Sequence, residues 1–324
     1  RSGTTTIIDH HASQTMIEGS LDLVAEALSA VGLRANLCFE VSDRGGREEG
    51  LRGLAENDRF AGVVGERDNT MLGASVGLHA SFTLEDETLD RAAEIAGSRG
   101  VGCHVHAAED VADVSDSLER CGVRVIERLN AHGVLGPRSI AAHCNHLEAD
   151  EIRTLRETGT LVVHNPQSNM NNAVGTADVL RLLDEGVRVG LGTDGFTASM
   201  FDEMKTANLL HRHNAGDPRV GHDTAVRLGF AGNAEAATRL FGTTLGRLEP
   251  GAAADVIVLD YDPPTPVVPG NFGGHVIFGL TGWMVQSVVI GGRIVLRDRE
   301  VLTVDAREIE ARAREAAAGL WKRM

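Results

Sequence analysis

The stretch Cys103-His104-Val105-His106-Ala107-Ala108-Glu109 shows the pattern that decides the fold. A short run of apolar and β-branched residues, 101–106, ends in histidines and is followed by a polar loop. Six further runs have this form, with a polar residue at or near the end; they span 5–9, 35–41, 72–79, 139–143, 160–164 and 187–194. Longer stretches with an apolar stripe of helical period lie between them, for example 21–30 and 118–129. Short strands that alternate with helices predict repeated βα units and a parallel sheet.

The seven strands predict a TIM-type (β/α)8 barrel that lacks its first strand. An open sheet of parallel strands would leave two apolar edges in water, whereas one more strand closes the barrel. The chain opens on Arg1-Ser2-Gly3 and runs directly into the strand-like residues 4–9 without an initiator methionine. We therefore place the missing strand before residue 1, and we assign residues 1–242 to strands 2 to 8 with their following helices.

Beyond the barrel, the sequence changes character. Residues 199–241 are helical in pattern, whereas 243–304 combine turns, a Pro-rich stretch and apolar runs at 251–260 and 285–296 that are typical of short strands. We assign 243–304 to a small β domain, a β-sandwich portion whose N-terminal strands are missing. Residues 305–324 are predicted to form a C-terminal helix.

The composition excludes several classes of partner. The formal net charge of −15 argues against nucleic acid or an anionic membrane, because both require a cationic face. A small neutral or cationic molecule fits better, and the sequence allows a homodimer. No run of about 18 apolar residues is present for a membrane span. The four cysteines are spread without paired spacing and are expected to be reduced, which favours the cytoplasm.

Polar residues at the strand ends suit metal chemistry, and barrel enzymes place catalytic groups there. Alternation along a strand sends His104 and His106 to the same side, and a neutral imidazole is a ligand for Zn²⁺ or Fe²⁺. Glu109 follows on a loop, where it can shuttle a proton or, equally, stabilise the start of a helix. His143 emerges from a buried strand, where a metal or its water would be its partner.

Two further strand ends carry candidates. Asp194 lies between Thr193 and Gly195, where a carboxylate can bind a metal and accept a proton, although an Asp before Gly is also common in turns. The loop after His164, Asn165-Pro166-Gln167-Ser168-Asn169, is rich in amides. Such a loop can hydrogen-bond a heterocycle, but turn chemistry alone also explains it.

Taken together, these motifs resemble the amidohydrolase superfamily, and within it the branch of amino- and chlorohydrolases that act on heterocycles. The matching motifs are ordered along the chain: His106 with Glu109, His143, His164-Asn165-Pro166 with Ser168-Asn169, and Gly192-Thr193-Asp194. The opening Gly3-Thr4-Thr5-Thr6 and the runs 38–44 and 77–84 are similar to the aminohydrolases called SsnA.

The resemblance implies one divalent transition metal, zinc with iron as the alternative, and a hydrolase of non-peptide C–N bonds. The candidate metal ligands are His106, Asp194 and His143, and the catalytic candidates are Glu109, His143 and Asp194. Substrate contacts are expected from His79, Asn165, Ser168 and Asn169. The expected reaction is deamination or ring hydrolysis of a purine- or pyrimidine-like cyclic amidine or amide, with chloride release from a similar ring as an alternative.

The family's two remaining ligands, a His-x-His pair at the end of the first strand, have no counterpart in this sequence. His10 and His11 are adjacent, so in a strand their side chains point to opposite faces and cannot bind one ion together. A missing first strand explains the absent pair and predicts weak metal affinity and low activity for this chain. The other reading is a barrel that binds a ligand without chemistry.

Overall fold

The computed structural model describes residues 1–66 and 70–323 and shows the expected alternation of strands and helices. Two parallel sheets, of order β1-β2-β3 and β4-β5-β6-β7-β8, are joined by a bridge between Val41 and Leu78. Their strands are β1 (Thr6–His11), β2 (Arg34–Phe39), β3 (Leu72–Ala74), β4 (Val76–Ala80), β5 (Cys103–Ala107), β6 (Ile140–His143), β7 (Leu161–His164) and β8 (Arg188–Leu191).

The run 72–79, predicted as one strand, is interrupted at Ser75. Strand β3 pairs with β2, whereas β4 pairs with β5, so the two halves of the run belong to different sheets. The Ser75 hydroxyl donates to Oδ1 of Asn36 on β2 at 2.8 Å, which satisfies the buried side chain at the break. All seven predicted strand positions are therefore present in the predicted order.

Helices follow the strands and cover the apolar core. They are α1 (Ser20–Val31), α2 (Arg47–Gly65), α3 (Asp86–Arg99), α4 (Val111–Cys121), α5 (Val125–Ala131), α6 (Ala149–Thr158), α7 (Pro166–Asn172), α8 (Val179–Asp184), α9 (Met200–Ala215), α10 (His222–Arg227) and α11 (Asn233–Phe241). The prediction of one helix over 118–129 is wrong, because Gly122 adopts a left-handed conformation (φ 72°) that ends α4. A π-helical turn, Leu228–Gly232, joins α10 to α11.

This π-helical turn covers the outer edge of β8. Strands β1 and β8 are not paired with one another in the described ranges. Instead, the Asn233 side chain accepts the Leu191 N–H at 2.8 Å and donates to the Leu191 carbonyl at 2.9 Å, as a neighbouring strand would. Gly232 lies so close that a Cβ there would come within 2.2 Å of the Val189 oxygen. Part of the β8 edge is thus satisfied without a strand.

The C-terminal part forms an antiparallel sheet of order β12-β11-β10-β9. Its elements are β9 (Val256–Leu259), β10 (Val285–Ile290), β11 (Arg293–Arg297) and β12 (Glu300–Val301), with the short helix α12 (Phe272–Gly274) before β10 and α13 (Ala306–Trp321) at the end. The portion predicted as part of a β-sandwich is therefore a single four-stranded sheet over the residues described. Arg34 on β2 reaches Asp255, just before β9, through two hydrogen bonds of 3.1 and 3.2 Å, and this buried pair ties the barrel strands to the small sheet.

Two expectations from the composition concern the cysteines and the membrane. Cys38, Cys103, Cys121 and Cys144 are free, and all but Cys121 are buried. Burial raises the pKa of the Cys103 thiol to about 12, which keeps it protonated and unreactive. Across the described residues, no helix has both the length and the apolar character that crossing a bilayer requires.

Candidate active site

Histidines and carboxylates converge at the C-terminal ends of the parallel strands, with His106 of β5 among them. The centroid of the His106 ring lies 4.7 Å from that of His10, 5.5 Å from His79 and 5.6 Å from His143. These three histidines come from β1, β4 and β6, so the sheet brings together residues that are far apart in sequence. The location is the one that the strand-end pattern predicts.

His106 is prepared to act as a ligand. Its Nδ1 donates to the His79 carbonyl oxygen at 2.6 Å, which leaves Nε2 with a free lone pair. Burial, together with the neighbouring His10 and His143, lowers the pKa of His106 to about 3. The imidazole is therefore neutral at physiological pH, as metal binding requires.

The structure brings together the three predicted catalytic residues. Nε2 of His143 lies 3.6 Å from Oε2 of Glu109 and 4.0 Å from Oδ2 of Asp194. Its Nδ1 is held by Oδ1 of Asn169 at 2.8 Å, so the ring has one orientation with Nε2 facing the two carboxylates. A reacting molecule between these groups would contact a base, an acid and an oriented imidazole.

Asp194 is held in its ionised form. Its Oδ2 accepts from the Ser168 hydroxyl at 2.5 Å, and its Oδ1 accepts from the Gly195 N–H at 2.6 Å. Burial opposes the charge, but these hydrogen bonds and the nearby histidines lower the pKa of Asp194 below its ordinary value. The carboxylate can therefore bind a cation or accept a proton at neutral pH.

The backbone is strained where the catalytic candidates lie. Ala108, His143 and Asp194 have φ values of 48°, 70° and 51°, and they stand at or just beyond the ends of β5, β6 and β8. A residue other than glycine in this left-handed region costs on the order of 1–3 kcal/mol and tends to occur at functional sites. Two of these strained residues, His143 and Asp194, have side chains that come within 4.0 Å of one another.

The residues predicted to bind substrate have different surroundings. Nδ1 of His79 is paired with the Thr83 hydroxyl at 2.8 Å, and the ring is half-buried beside His106. Asn165 is buried against Gly192, where a Cβ would come within 2.2 Å of its Oδ1. Ser168 and Asn169 use their side chains to hold Asp194 and His143. Substrate contact by these four residues stays a prediction.

Sequence reasoning missed two members of the site, His10 and Glu40. Nε2 of His10 donates to the His104 carbonyl at 3.0 Å, while its buried Nδ1 has no hydrogen-bond partner and lies 3.5 Å from Oε2 of Glu40. His11 points the other way, toward the Ser13 hydroxyl at 2.9 Å, as strand alternation predicts. The available signal was that His10 lies near the end of β1 and Glu40 directly after the end of β2, and these two strands pair with one another.

Comparisons with known proteins identify the family of this chain. The model of the amidohydrolase family matches residues 1–295. The chain belongs to the amidohydrolase family. Among its amidohydrolase relatives, the 5'-deoxyadenosine deaminase of Methanosarcina mazei is 34% identical over 333 residues, which cover 100% of this chain and 74% of that protein. The 5-methylthioadenosine/S-adenosylhomocysteine deaminase of Moorella thermoacetica is 36% identical over 331 residues, covering 96% of this chain and 71% of that protein.

Solved amidohydrolase structures confirm the fold. An adenosine deaminase from Xanthomonas campestris with bound zinc superposes with a TM-score of 0.85 at 26% identity, covering 99% of this chain and 72% of that one. Atrazine chlorohydrolase TrzN from Arthrobacter aurescens, complexed with zinc, gives a TM-score of 0.82 at 23% identity, with 96% and 72% covered. The predictions of the superfamily and of an α/β barrel-type fold are confirmed, whereas the C-terminal part is an antiparallel sheet and not the predicted β-sandwich portion.

Proposed function

We propose that this chain is a metal-dependent aminohydrolase that deaminates the purine ring of a 5'-modified adenosine. The observation that carries the proposal is the meeting of Glu109, His143 and Asp194 at the strand ends. The names of the relatives at 34–36% identity, which deaminate 5'-deoxyadenosine or 5-methylthioadenosine and S-adenosylhomocysteine, support the choice of ring.

The donors at the site fit a divalent transition metal. They include the neutral imidazole of His106 and the ionised carboxylate of Asp194, and beside them a buried nitrogen of His10 that has no hydrogen-bond partner and lies 3.5 Å from Glu40. We propose His106 and Asp194 as ligands with His143 beside them, and zinc as the metal, with iron as the alternative. When bound, the metal would act as a Lewis acid and lower the pKa of a water to near 7.

The protons in this reaction are moved by the chain's own residues. Water adds to the ring carbon that carries the amino group, Asp194 accepts the water's proton, and Glu109 donates a proton to the adjacent ring nitrogen. His143, oriented by Asn169, holds the attacking water through Nε2. The C–N bond then breaks, Asp194 returns its proton to the leaving ammonia, and Glu109 recovers a proton from the new hydroxyl group. The products are ammonia and the 6-oxo ring.

The test is to load the purified chain with zinc and supply 5'-deoxyadenosine, methylthioadenosine and, separately, a chlorotriazine. We expect stoichiometric ammonia and the 6-oxo nucleoside from the first two. Chloride without ammonia would favour the chlorohydrolase alternative, and no product from any substrate would favour the non-catalytic ligand-binding barrel. The resemblance to the SsnA aminohydrolases does not specify the substrate ring. The outcome of this assay therefore does not depend on that resemblance.

A further inference from the structure

We propose that Glu203 on α9 is a positioning residue, which fixes the start of α7 and through it the orientation of His143 and Asp194. The inference rests on the proposed function for the chemistry that these two residues perform. Helix α7 carries Ser168, whose hydroxyl donates to Asp194 at 2.5 Å. Oδ1 of its Asn169 accepts from Nδ1 of His143 at 2.8 Å. Whatever holds α7 in place therefore controls the geometry of both catalytic candidates.

Helix α7 is too short to hold its own orientation. It has seven residues, whereas an isolated helix of fewer than about 12–15 residues is only marginally stable in water. Its N-cap residue, Asn165, makes no side-chain capping hydrogen bond, and its first residue, Pro166, has no backbone N–H. The next backbone N–H, that of Gln167, has no intrahelical partner and needs one from elsewhere in the chain.

The partner of this N–H group comes from another helix. Oε2 of Glu203 accepts the Gln167 N–H at 3.4 Å and so takes the place of the missing N-cap contact. Glu203 is 0% exposed, so the accepting carboxyl group is shielded from water. Helix α9 is a firm support, since it has sixteen residues and its own N-cap, Ser199, accepts from the Asp202 N–H at 3.4 Å.

The same helix also contacts the strand that leads into α7. The ring of His211 stacks on that of His164, the last residue of β7, with centroids 5.3 Å apart and an interplanar angle of 26°. Both rings are buried. Helix α9 thus contacts the chain at residue 164 and again at residue 167, on either side of the turn Asn165-Pro166. Contacts on both sides of this turn fix the direction in which α7 leaves the strand.

The Glu203 side chain fills this role as an uncharged acid. Burial raises its pKa to about 8, so most of it holds a proton at neutral pH. One carboxyl oxygen then accepts from Gln167, and the other, Oε1, can carry the proton. Glutamine has the same shape, with one acceptor and one donor group, whereas leucine has neither. This difference separates a hydrogen-bonding role from the simple filling of space.

The experiment compares Glu203→Gln with Glu203→Leu in two measurements. Steady-state ammonia release from 5'-deoxyadenosine gives kcat and KM for the zinc-loaded chain, and hydrogen exchange of the Gln167 amide follows α7 in the metal-free chain. Asp202→Leu is the matched control, because Asp202 is the neighbouring residue on α9 and is exposed. The double variant that combines Glu203→Leu with Asn169→Ala tests whether Glu203 acts through α7.

In Glu203→Leu we expect kcat to fall at least about tenfold with little change in KM, because a small misplacement of catalytic groups slows the reaction strongly. The Gln167 amide should exchange at least about threefold faster, since its acceptor is gone. Glu203→Gln and Asp202→Leu should resemble the wild type in both measurements. The double variant should lose no more than the larger of the two single losses, because both changes release His143.

Additive losses of kcat in the double variant overturn the proposal, as does wild-type kcat or wild-type exchange in Glu203→Leu. A loss in Glu203→Gln as large as that in Glu203→Leu does so as well, because the hydrogen bond would then not be the cause. If circular dichroism shows that Glu203→Leu unfolds, Glu203→Met replaces it, since methionine keeps the length of the side chain. A wild type that releases no ammonia rejects the proposed deamination alone, and the exchange rates of the Gln167 amide then decide the positioning role.

Discussion

At the scale of single residues, the partners of each side chain determine its protonation state. His106 is neutral because it is buried among other imidazoles, and Asp194 is ionised because Ser168 and Gly195 donate to it. Glu109 differs from both, since its side chain is 29% exposed and its Oε2 lies 3.6 Å from Nε2 of His143. It is therefore the group that can exchange protons with a substrate and with solvent.

Replacing Glu109 by Gln should lower kcat for 5'-deoxyadenosine by about 10²–10⁴-fold, because the amide cannot protonate the ring nitrogen. The KM should change much less, since the side chain keeps its shape. Steady-state measurement of ammonia release tests this. Glu119→Gln on the exposed face of α4 is the matched control. A Glu109→Gln variant with wild-type kcat would exclude Glu109 as the proton donor.

Glu203 on α9 should make stability depend on pH. Burial raises its pKa to about 8 from an ordinary value of 4.5, and its Oε1 has no hydrogen-bond partner. The folded chain thus holds a proton that the unfolded chain releases, so this contribution to stability is complete below about pH 4.5 and is lost as the pH rises through 8. The change in Tm caused by Glu203→Gln should be more favourable at pH 8.5 than at pH 5, by a few degrees, because glutamine has no charge to bury.

Thermal unfolding of both proteins between pH 5 and 8.5 measures this difference. Glu315→Gln on the exposed helix α13 serves as a control that should leave the pH profile unchanged. Parallel profiles for the wild type and Glu203→Gln would show that Glu203 titrates normally in the folded chain.

At the scale of elements, a side chain performs the task of a strand at the edge of β8. Asn233 pairs with both backbone groups of Leu191, and the π-helical turn brings the start of α11 against the strand. A π-helical turn holds one residue more than an α-helical turn, and such turns are frequent near functional sites. Here the π-helical turn packs against β8, the strand that leads into Asp194.

Asn233→Ala should therefore destabilise the chain by about 1–3 kcal/mol, because the N–H and C=O of Leu191 lose their partners. Urea unfolding gives the free energy, and hydrogen exchange should show faster exchange at the Leu191 amide. Asn214→Ala near the exposed end of α9 is the control, and we expect it to change the free energy of unfolding very little. Unchanged protection of Leu191 would mean that Asn233 does not hold this edge.

At the scale of the whole molecule, the barrel strands and the C-terminal sheet are joined by the pair of Arg34 and Asp255. The side chains are 1% and 4% exposed, and Oδ1 of Asp255 also accepts the Gly291 N–H at 2.7 Å. Removing one partner of a buried ion pair leaves an uncompensated charge, which is costly. The pair holds together two parts of the chain that are 221 residues apart.

Asp255→Ala should lower the free energy of unfolding by about 3–5 kcal/mol. Asp260→Ala is the matched control, because Asp260 and its partner Arg299 are both more than half exposed and such pairs contribute at most about 1 kcal/mol. Denaturant unfolding of the two variants compares them directly. Equal losses in both would show that burial adds nothing to the Arg34–Asp255 pair.

Local sequence pattern was sufficient for the strand order and for the alternation of strands and helices, and it drew attention to Glu109, His143 and Asp194, whose predicted roles came from the family resemblance. It sufficed because strands have a period of two residues and because parallel strands end on one side of a sheet. The same reasoning separated His10 from His11 correctly. It failed at Gly122 and Ser75, where backbone conformation and pairing with a neighbouring strand interrupt a continuous apolar pattern.

Only the tertiary structure decided which side chains meet. His10 and His106 lie on β1 and β5, and Glu40 directly follows β2. Their approach depends on the parallel register of β1 with β2 and on the contact of His10 with His104 of β5. The direction of each imidazole depends on carbonyl oxygens of residues elsewhere in the chain, His79 and His104. The spacing of residues along the chain reveals neither which side chains meet nor which way each imidazole points. Both depend on contacts between segments that are distant in sequence.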